Sequence, residues 1–256
     1  MELAIETDGL TRFFEDFCAV NDVNLKVERG TFYGFLGPNG AGKSTTIKML
    51  TGLLTPSAGT VKVLGGNPLN DKQAIQIKSQ IGVVPENLAL FENLTAREYL
   101  TFVGRMYLME KQTMLTRIDE LLDLMKLQDA EKKITMEYSH GMQKKLALAA
   151  ALLPNPDLLF LDEPFEGVDA VASRVLRDTL SNYVSRGSTV FLTSHVLEIV
   201  ERLCTHVGII ANGQLVEQCS LSELQQGSSL EERFLERVGN DEEASQKLSW
   251  LEEETA

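Results

Sequence analysis

Short apolar runs recur along both ends of the chain, and the middle follows a different rhythm. Residues 3–5, 23–27 and 31–36 read as strands; the first two alternate with polar positions, while Thr-Phe-Tyr-Gly-Phe-Leu at 31–36 is almost wholly apolar. A further strand pair, around 60–64 and 80–84, brackets the turn formers Gly65, Gly66, Asn67 and Pro68. From about 88 to 153 the pattern carries no strand. Thr95 and Glu98 form a capping box before a helix bearing Tyr99, Leu100, Val103, Met106 and Tyr107. A second helix carries Leu115, Ile118, Leu121, Leu122 and Met125, and a third spans 142–153 after Ser139-His140-Gly141. Strands return at 158–161, apolar on both faces and therefore central in a sheet, and at 189–192. Helices follow at about 170–184 and 196–203, then a hairpin, 207–211 with 214–217, turning on Asn212-Gly213. Strands alternating with helices around an all-helical insertion predict an α/β layered domain.

Composition narrows the possibilities. The 256 residues are 43% hydrophobic and 24% charged, enough apolar material for a large core without disulfides. Cys18, Cys204 and Cys219 are scattered and lack metal-ligand spacing, and the three histidines complete no zinc site. The expectation is buried thiols in a reducing compartment. The first ten residues carry Glu2, Glu6 and Asp8 where a signal peptide would be basic and then apolar. The longest apolar stretch, Leu146–Leu153, stops at Pro154, far short of the roughly 20 residues that a span requires. The net charge of −13 disfavours binding to nucleic-acid backbones. The acidity is concentrated: the last forty residues hold 11 acidic and 3 basic side chains.

The chemistry centres on two segments. After the apolar strand comes Gly37-Pro38-Asn39-Gly40-Ala41-Gly42-Lys43-Ser44-Thr45, then a helix; this is the phosphate-loop pattern in its strand–loop–helix setting. The glycines let backbone N–H groups converge on phosphate oxygens, and the helix start offers its positive dipole end. Lys43 reaches the outer phosphates as a point charge, and the Ser44 hydroxyl suits Mg2+. The second segment, Leu158-Leu159-Phe160-Leu161-Asp162-Glu163, places two acids at the C-terminal end of a buried strand, where open α/β sheets bind ligands. Asp162 is suited to hold Mg2+, and Glu163, facing the other way, to act as general base on water.

With these elements the chain resembles the ATP-binding subunits of ABC transporters, from about residue 3 to residue 238. Glu137-Tyr138-Ser139-His140-Gly141-Met142-Gln143-Lys144-Lys145 resembles the family's signature, Leu-Ser-Gly-Gly-Gln followed by basic residues, with Tyr138, His140 and Met142 as departures. The resemblance implies that Ser139 and Gly141 contact the γ-phosphate bound to an opposite subunit, with His140 a tolerated loop residue. Thr193-Ser194-His195 resembles the switch segment, so His195 would donate to the γ-phosphate and orient water with Glu163. Asp169 corresponds to the loop that touches the partner across the dimer, and Phe14 to the aromatic that stacks on adenine. Ile81-Gly82-Val83-Val84-Pro85-Glu86 resembles the loop that couples nucleotide to the membrane partner; the family usually has Gln where Glu86 stands, and a carboxylate there can also ligate Mg2+.

The implied fold is α/β: a P-loop NTPase core with a mostly parallel central sheet, an antiparallel β subdomain and an inserted α-helical subdomain. The implied segments are 1–87, the N-terminal part of the ATP-binding core; 88–153, the helical insertion ending in the signature helix; 154–218, the C-terminal part of the core; and 219–256, a C-terminal helix and acidic tail. The segment Ser229-Leu230-Glu231-Glu232-Arg233-Phe234-Leu235-Glu236 resembles one common in bacterial exporter-type members. The expected activity is ATP binding and hydrolysis, with ATP and Mg2+, by a homodimer or a pair with a related ATPase. The partner would be an integral membrane permease, approached from the cytoplasmic face as a peripheral subunit. Six of eight Met residues lie between 106 and 142, at helical spacing that assigns them to core, although the resemblance places the membrane contact near this insertion. The alternative is a soluble ABC-type ATPase serving as an assembly or scaffold factor; a regulator without hydrolysis fits less well with Glu163 and His195 in place.

Overall fold

The structure is a computed structural model and describes residues 2–224 and 229–238. The chain opens with β1 (Leu3–Phe14), β2 (Phe17–Val23) and β3 (Lys26–Glu28). Strand β4 (Phe32–Leu36) leaves this group for the central sheet, and β5 (Ala58–Val63) returns to pair with β1, making an antiparallel sheet. Helix α1 (Lys43–Leu50) lies between β4 and β5. The central sheet then gathers β6 (Ile81–Val84), β7 (Leu158–Asp162), β8 (Thr189–Ser194), β9 (His206–Ala211) and β10 (Gln214–Ser220) in the order β10-β9-β4-β8-β7-β6. Only β10 runs antiparallel.

Strands β4, β7, β8 and β9 of the central sheet are buried on both faces, which explains their continuous apolar sequences. In β7, Leu158 and Phe160 join the core shared with the antiparallel sheet and α1, while Leu159 and Leu161 join the core shared with the helices. Strand β8 divides likewise, Phe191 to one side and Val190 and Leu192 to the other. Each such side chain contributes roughly 1.5–3 kcal/mol of burial. This two-sided packing fixes the strand ends that carry the chemistry.

The helical insertion comprises α3 (Ala96–Met106), α4 (Lys111–Leu124) and α5 (His140–Leu152), preceded by α2 (Asp71–Ser79). The capping box at α3 forms, with the Thr95 N–H donating to Glu98 Oε2 at 2.9 Å and the Glu98 N–H to Thr95 Oγ1 at 3.3 Å. Met114, Ile118, Leu122 and Met125 are buried, whereas Met106 and Met136 are exposed, so the methionines divide between core and surface. After β7 come α6 (Ala170–Ser185), α7 (Leu197–Leu203), α8 (Leu221–Leu224) and α9 (Leu230–Val238). Arg237 ties α9 to Glu217 of β10 at 2.9 Å. The acidic tail, 239–256, lies outside the described residues.

The strand expected at 23–27 is instead the junction of β2 and β3, with Asn24 and Leu25 between them, and three further local expectations need correction. Segments 60–64 and 80–84 do not pair: β5 belongs to the antiparallel sheet and β6 edges the central one. Helix α2 fills the interval, capped by the Asn70 side chain accepting from the Lys72 N–H; its periodicity is weak because only Ile77 is buried. The first strand runs far beyond residue 5, reaching Phe14, because register shifts around Arg12 break the alternation that marks a strand. The signature helix also starts earlier than 142, at His140, with Ser139 as its cap.

Candidate nucleotide-binding and hydrolysis site

Strand β4 delivers the chain into a tight loop that only glycine allows at two positions. Gly42 adopts φ 104°, and a Cβ there would lie 2.5 Å from the Ala19 carbonyl oxygen; a Cβ on Gly37 would lie 2.4 Å from the Ile210 carbonyl oxygen. Gly42 caps α1 without a side-chain hydrogen bond, and the first turn of α1 has no acidic residue, so its N–H groups and dipole face an open cavity. Lys43 is buried and curls back over the loop, its Nζ donating to the carbonyls of Gly37 at 2.8 Å and Pro38 at 3.2 Å. Asn39, Gly40, Gly42, Lys43, Ser44 and Thr45 line a cavity of about 330 Å³, while Ala41 is buried behind the loop and Pro38 faces solvent outside the lining.

The rest of the cavity wall carries two aromatic and two acidic side chains. Phe14 and Phe17 face each other across the β1–β2 hairpin and both line it, 43% and 64% exposed, so apolar ring surface is available for a flat ligand. The Arg12 guanidinium covers part of Phe14, 4.7 Å from its ring centre. Glu86 and Glu163 also line it, with the Ser44 hydroxyl donating to Glu86 Oε2 at 3.4 Å.

Strands β7 and β8 position the acids. Their parallel register sets Asp162 beside Thr193, whose hydroxyl donates to Asp162 Oδ1 at 2.6 Å and accepts from the Glu163 N–H at 3.0 Å. Glu163 takes a left-handed backbone, φ 47°, unusual for a side chain of its size. That turn sends its carboxylate away from Asp162 and toward the loop. Its Oε1 faces Lys43 Nζ at 3.2 Å, off the axis of a hydrogen bond, and its Oε2 faces His195 Nδ1 at 3.1 Å. Beyond it lies a second cavity of about 270 Å³, lined by Glu163, Gly167, Ser194 and His195, so Glu163 forms the wall between the two spaces. A carboxylate beside the loop lysine and flanked by an imidazole can accept a proton from a water in either space.

Ser139, Gly141 and Asp169 line neither cavity. Ser139 Oγ accepts from the Met142 N–H at 3.3 Å. Gly141 lies beside Asp169, since a Cβ on it would be 3.7 Å from Asp169 Oδ2, and the His140 ring rests against Gly167. Asp169 caps α6; the Ala172 and Val171 N–H groups, both donating at 2.9 Å, hold its carboxyl below the usual carboxylate range. His206 contacts Thr205, away from both cavities. Phe17 and Thr193 take places in the site that sequence reasoning did not assign. Both are strand-pairing consequences, visible only once the β1–β2 and β7–β8 partners are known.

Fold and site together define a P-loop nucleotide-binding protein whose cassette carries an inserted helical layer. Residues 20–166 match the ABC transporter family. The chain is 38% identical to the bacitracin transport ATP-binding protein BcrA of Bacillus licheniformis, over 88% of its own length and 72% of the relative's. It is 34% identical to the Nod factor export ATP-binding protein I of Cupriavidus metallidurans, over 88% of this chain and 73% of that one. A solved ATP-binding subunit of an ABC transporter superposes with a TM-score of 0.84 at 29% identity, covering 92% of this chain and 99% of the other. A bacterial ABC transporter cassette solved as a dimer superposes at 0.78 with 25% identity, covering 85% and 98%. The chain belongs to the ABC transporter family, as an ATP-binding subunit.

Proposed function

We propose that this chain is the ATP-hydrolysing motor of an exporter, pairing around two ATP molecules to drive a separate membrane-spanning permease. The observation that carries the reading is Glu163, held between Lys43 and His195 at the edge of the phosphate-loop cavity. In this reading the α1 N–H groups and Lys43 bind the phosphates and Phe14 stacks on adenine. Glu163 takes the proton of the attacking water, and His195 orients that water. Ser139 and Gly141 of one copy face the γ-phosphate held by the other, with Asp169 at the join, as the N-terminal position of Ser139 on α5 permits. The dimeric cassette supports the pairing, the name of the bacitracin relative supports transport, and that of the Nod factor relative supports export.

The permease seat fits a groove of about 380 Å³ between the core and the insertion, lined among others by Leu53, Pro85, Leu88, Tyr99 and Tyr107. No helix among the described residues is long and apolar enough to cross a membrane; the location that goes with a separate permease is peripheral, on the cytoplasmic face. Ser44 and Glu86 meet on the cavity wall, and Asp162 stands outside its lining at the end of β7; all three offer oxygen donors, which fits a hard divalent cation such as Mg2+. Bound there, Mg2+ would neutralise charge on the phosphates. The cation is tested by phosphate release from ATP with and without chelator, in the native chain and in Glu86→Gln. Turnover should stop on chelation in both and persist in Glu86→Gln. Turnover that survives chelation would remove the cation from the account, and complete loss in Glu86→Gln would make Glu86 an indispensable ligand.

A further inference from the structure

The insertion and the catalytic strand meet at one buried charge. Lys144 lies on α5, about one and a half turns after Ser139, and is 3% exposed. Its Nζ donates to the backbone carbonyl of Glu163 at 2.6 Å. Burying an ammonium costs several kcal/mol unless its surroundings compensate; here burial holds the Lys144 ammonium below its usual pKa, and the carboxylates of Glu166, Glu163, Glu86 and Asp162 offset that shift only in part. A well-packed aliphatic side chain would fill the same space without that cost.

The contact lands on a strained residue. Glu163 holds its left-handed backbone between two buried bonds, its N–H to Thr193 and its carbonyl to Lys144. The Thr193 bond comes from the neighbouring strand and belongs to the rigid sheet. The Lys144 bond comes from α5, whose first turn packs on the 163–169 segment through His140 on Gly167 and Gly141 beside Asp169. Any displacement of α5 therefore pulls on the carbonyl of the residue whose carboxylate faces Lys43 and His195.

We propose that Lys144 is a positioning residue for hydrolysis, tying the aim of the Glu163 carboxylate to the placement of helix α5. The proposal rests on Glu163 as the base, and it adds a route by which occupation of the Ser139 end reaches the chemistry within the same subunit.

The test is the steady-state kinetics of Lys144→Met, which keeps the bulk and removes the donor, beside Lys144→Arg, which keeps a donor. Because misplacing a catalytic group by about 1 Å costs on the order of 100-fold, Lys144→Met should lower kcat roughly 10- to 100-fold. Its KM for ATP should stay within about twofold, since the contact bears on the transition state and not on nucleotide binding. Lys144→Arg should recover most of the rate. Combined with Glu163→Gln, Lys144→Met should slow turnover no further, because both changes act through one carboxylate. Thermal unfolding of each variant checks that the fold persists. A folded Lys144→Met with native kcat overturns the proposal, as does an additive loss in the double variant. If the native chain fails to hydrolyse ATP, or Glu163→Gln retains the native rate, the underlying reading falls as well.

Discussion

Glu163→Gln is expected to slow ATP hydrolysis by about 10²–10⁴-fold, the range for losing a general base, while ATP binding persists. The amide occupies the carboxylate's space but accepts no proton from water. It also removes the negative charge between Lys43 and His195, at 3.2 Å and 3.1 Å. Lys43 is thereby freed of its competing anion, so nucleotide affinity should hold or rise. If two copies close around ATP and hydrolysis opens them, the variant should accumulate as an ATP-bound dimer. Sedimentation with and without ATP, beside single-turnover phosphate release, reads both effects. Native turnover in the variant would remove Glu163 from the base role.

Lys43→Ala is expected to abolish both binding and turnover under conditions that saturate the native chain. Among the described residues, Lys43 supplies the only basic side chain in the lining of the phosphate-loop cavity, and Glu86 and Glu163 on that lining repel phosphate. Removing the ammonium leaves the α1 N–H groups to hold a polyanion against two carboxylates. Hydrogen bonds to charged groups contribute about 1.5–3 kcal/mol each, so losing one weakens affinity by roughly 10- to 100-fold. The added repulsion from Glu86 and Glu163 carries the loss further. Calorimetric titration with a non-hydrolysable ATP analogue measures it, and native affinity would contradict the phosphate-loop assignment.

The parts of this molecule legible in its sequence are those where one residue type answers to one local demand. The phosphate loop is legible because Gly42 needs positive φ and no Cβ, whatever surrounds it. The apolar run 158–161 ending in two acids is legible because a strand buried on both faces has no polar alternation. The capping box of Thr95 and Glu98 is a contact within four residues. What stayed hidden depends on pairing across the chain. Thr193 acquires its place only through the β7–β8 register, Phe17 only through the hairpin with Phe14, and Lys144 only where α5 crosses the end of β7. The strand pair expected at 60–64 and 80–84 failed for the opposite reason: only the turn formers at 65–68 marked the interval, and the weakly amphipathic α2 within it left little sign of itself.

The central claim, that this ATPase drives a membrane permease, is tested most directly by detergent extraction of native membranes with this chain as bait, followed by mass spectrometry of what remains bound. The account predicts one integral membrane protein held in fixed stoichiometry with the chain, and ATP hydrolysis that responds to its presence. Recovery from the soluble fraction alone, with cytosolic partners and no membrane-spanning protein, would contradict it and bring the scaffold alternative forward.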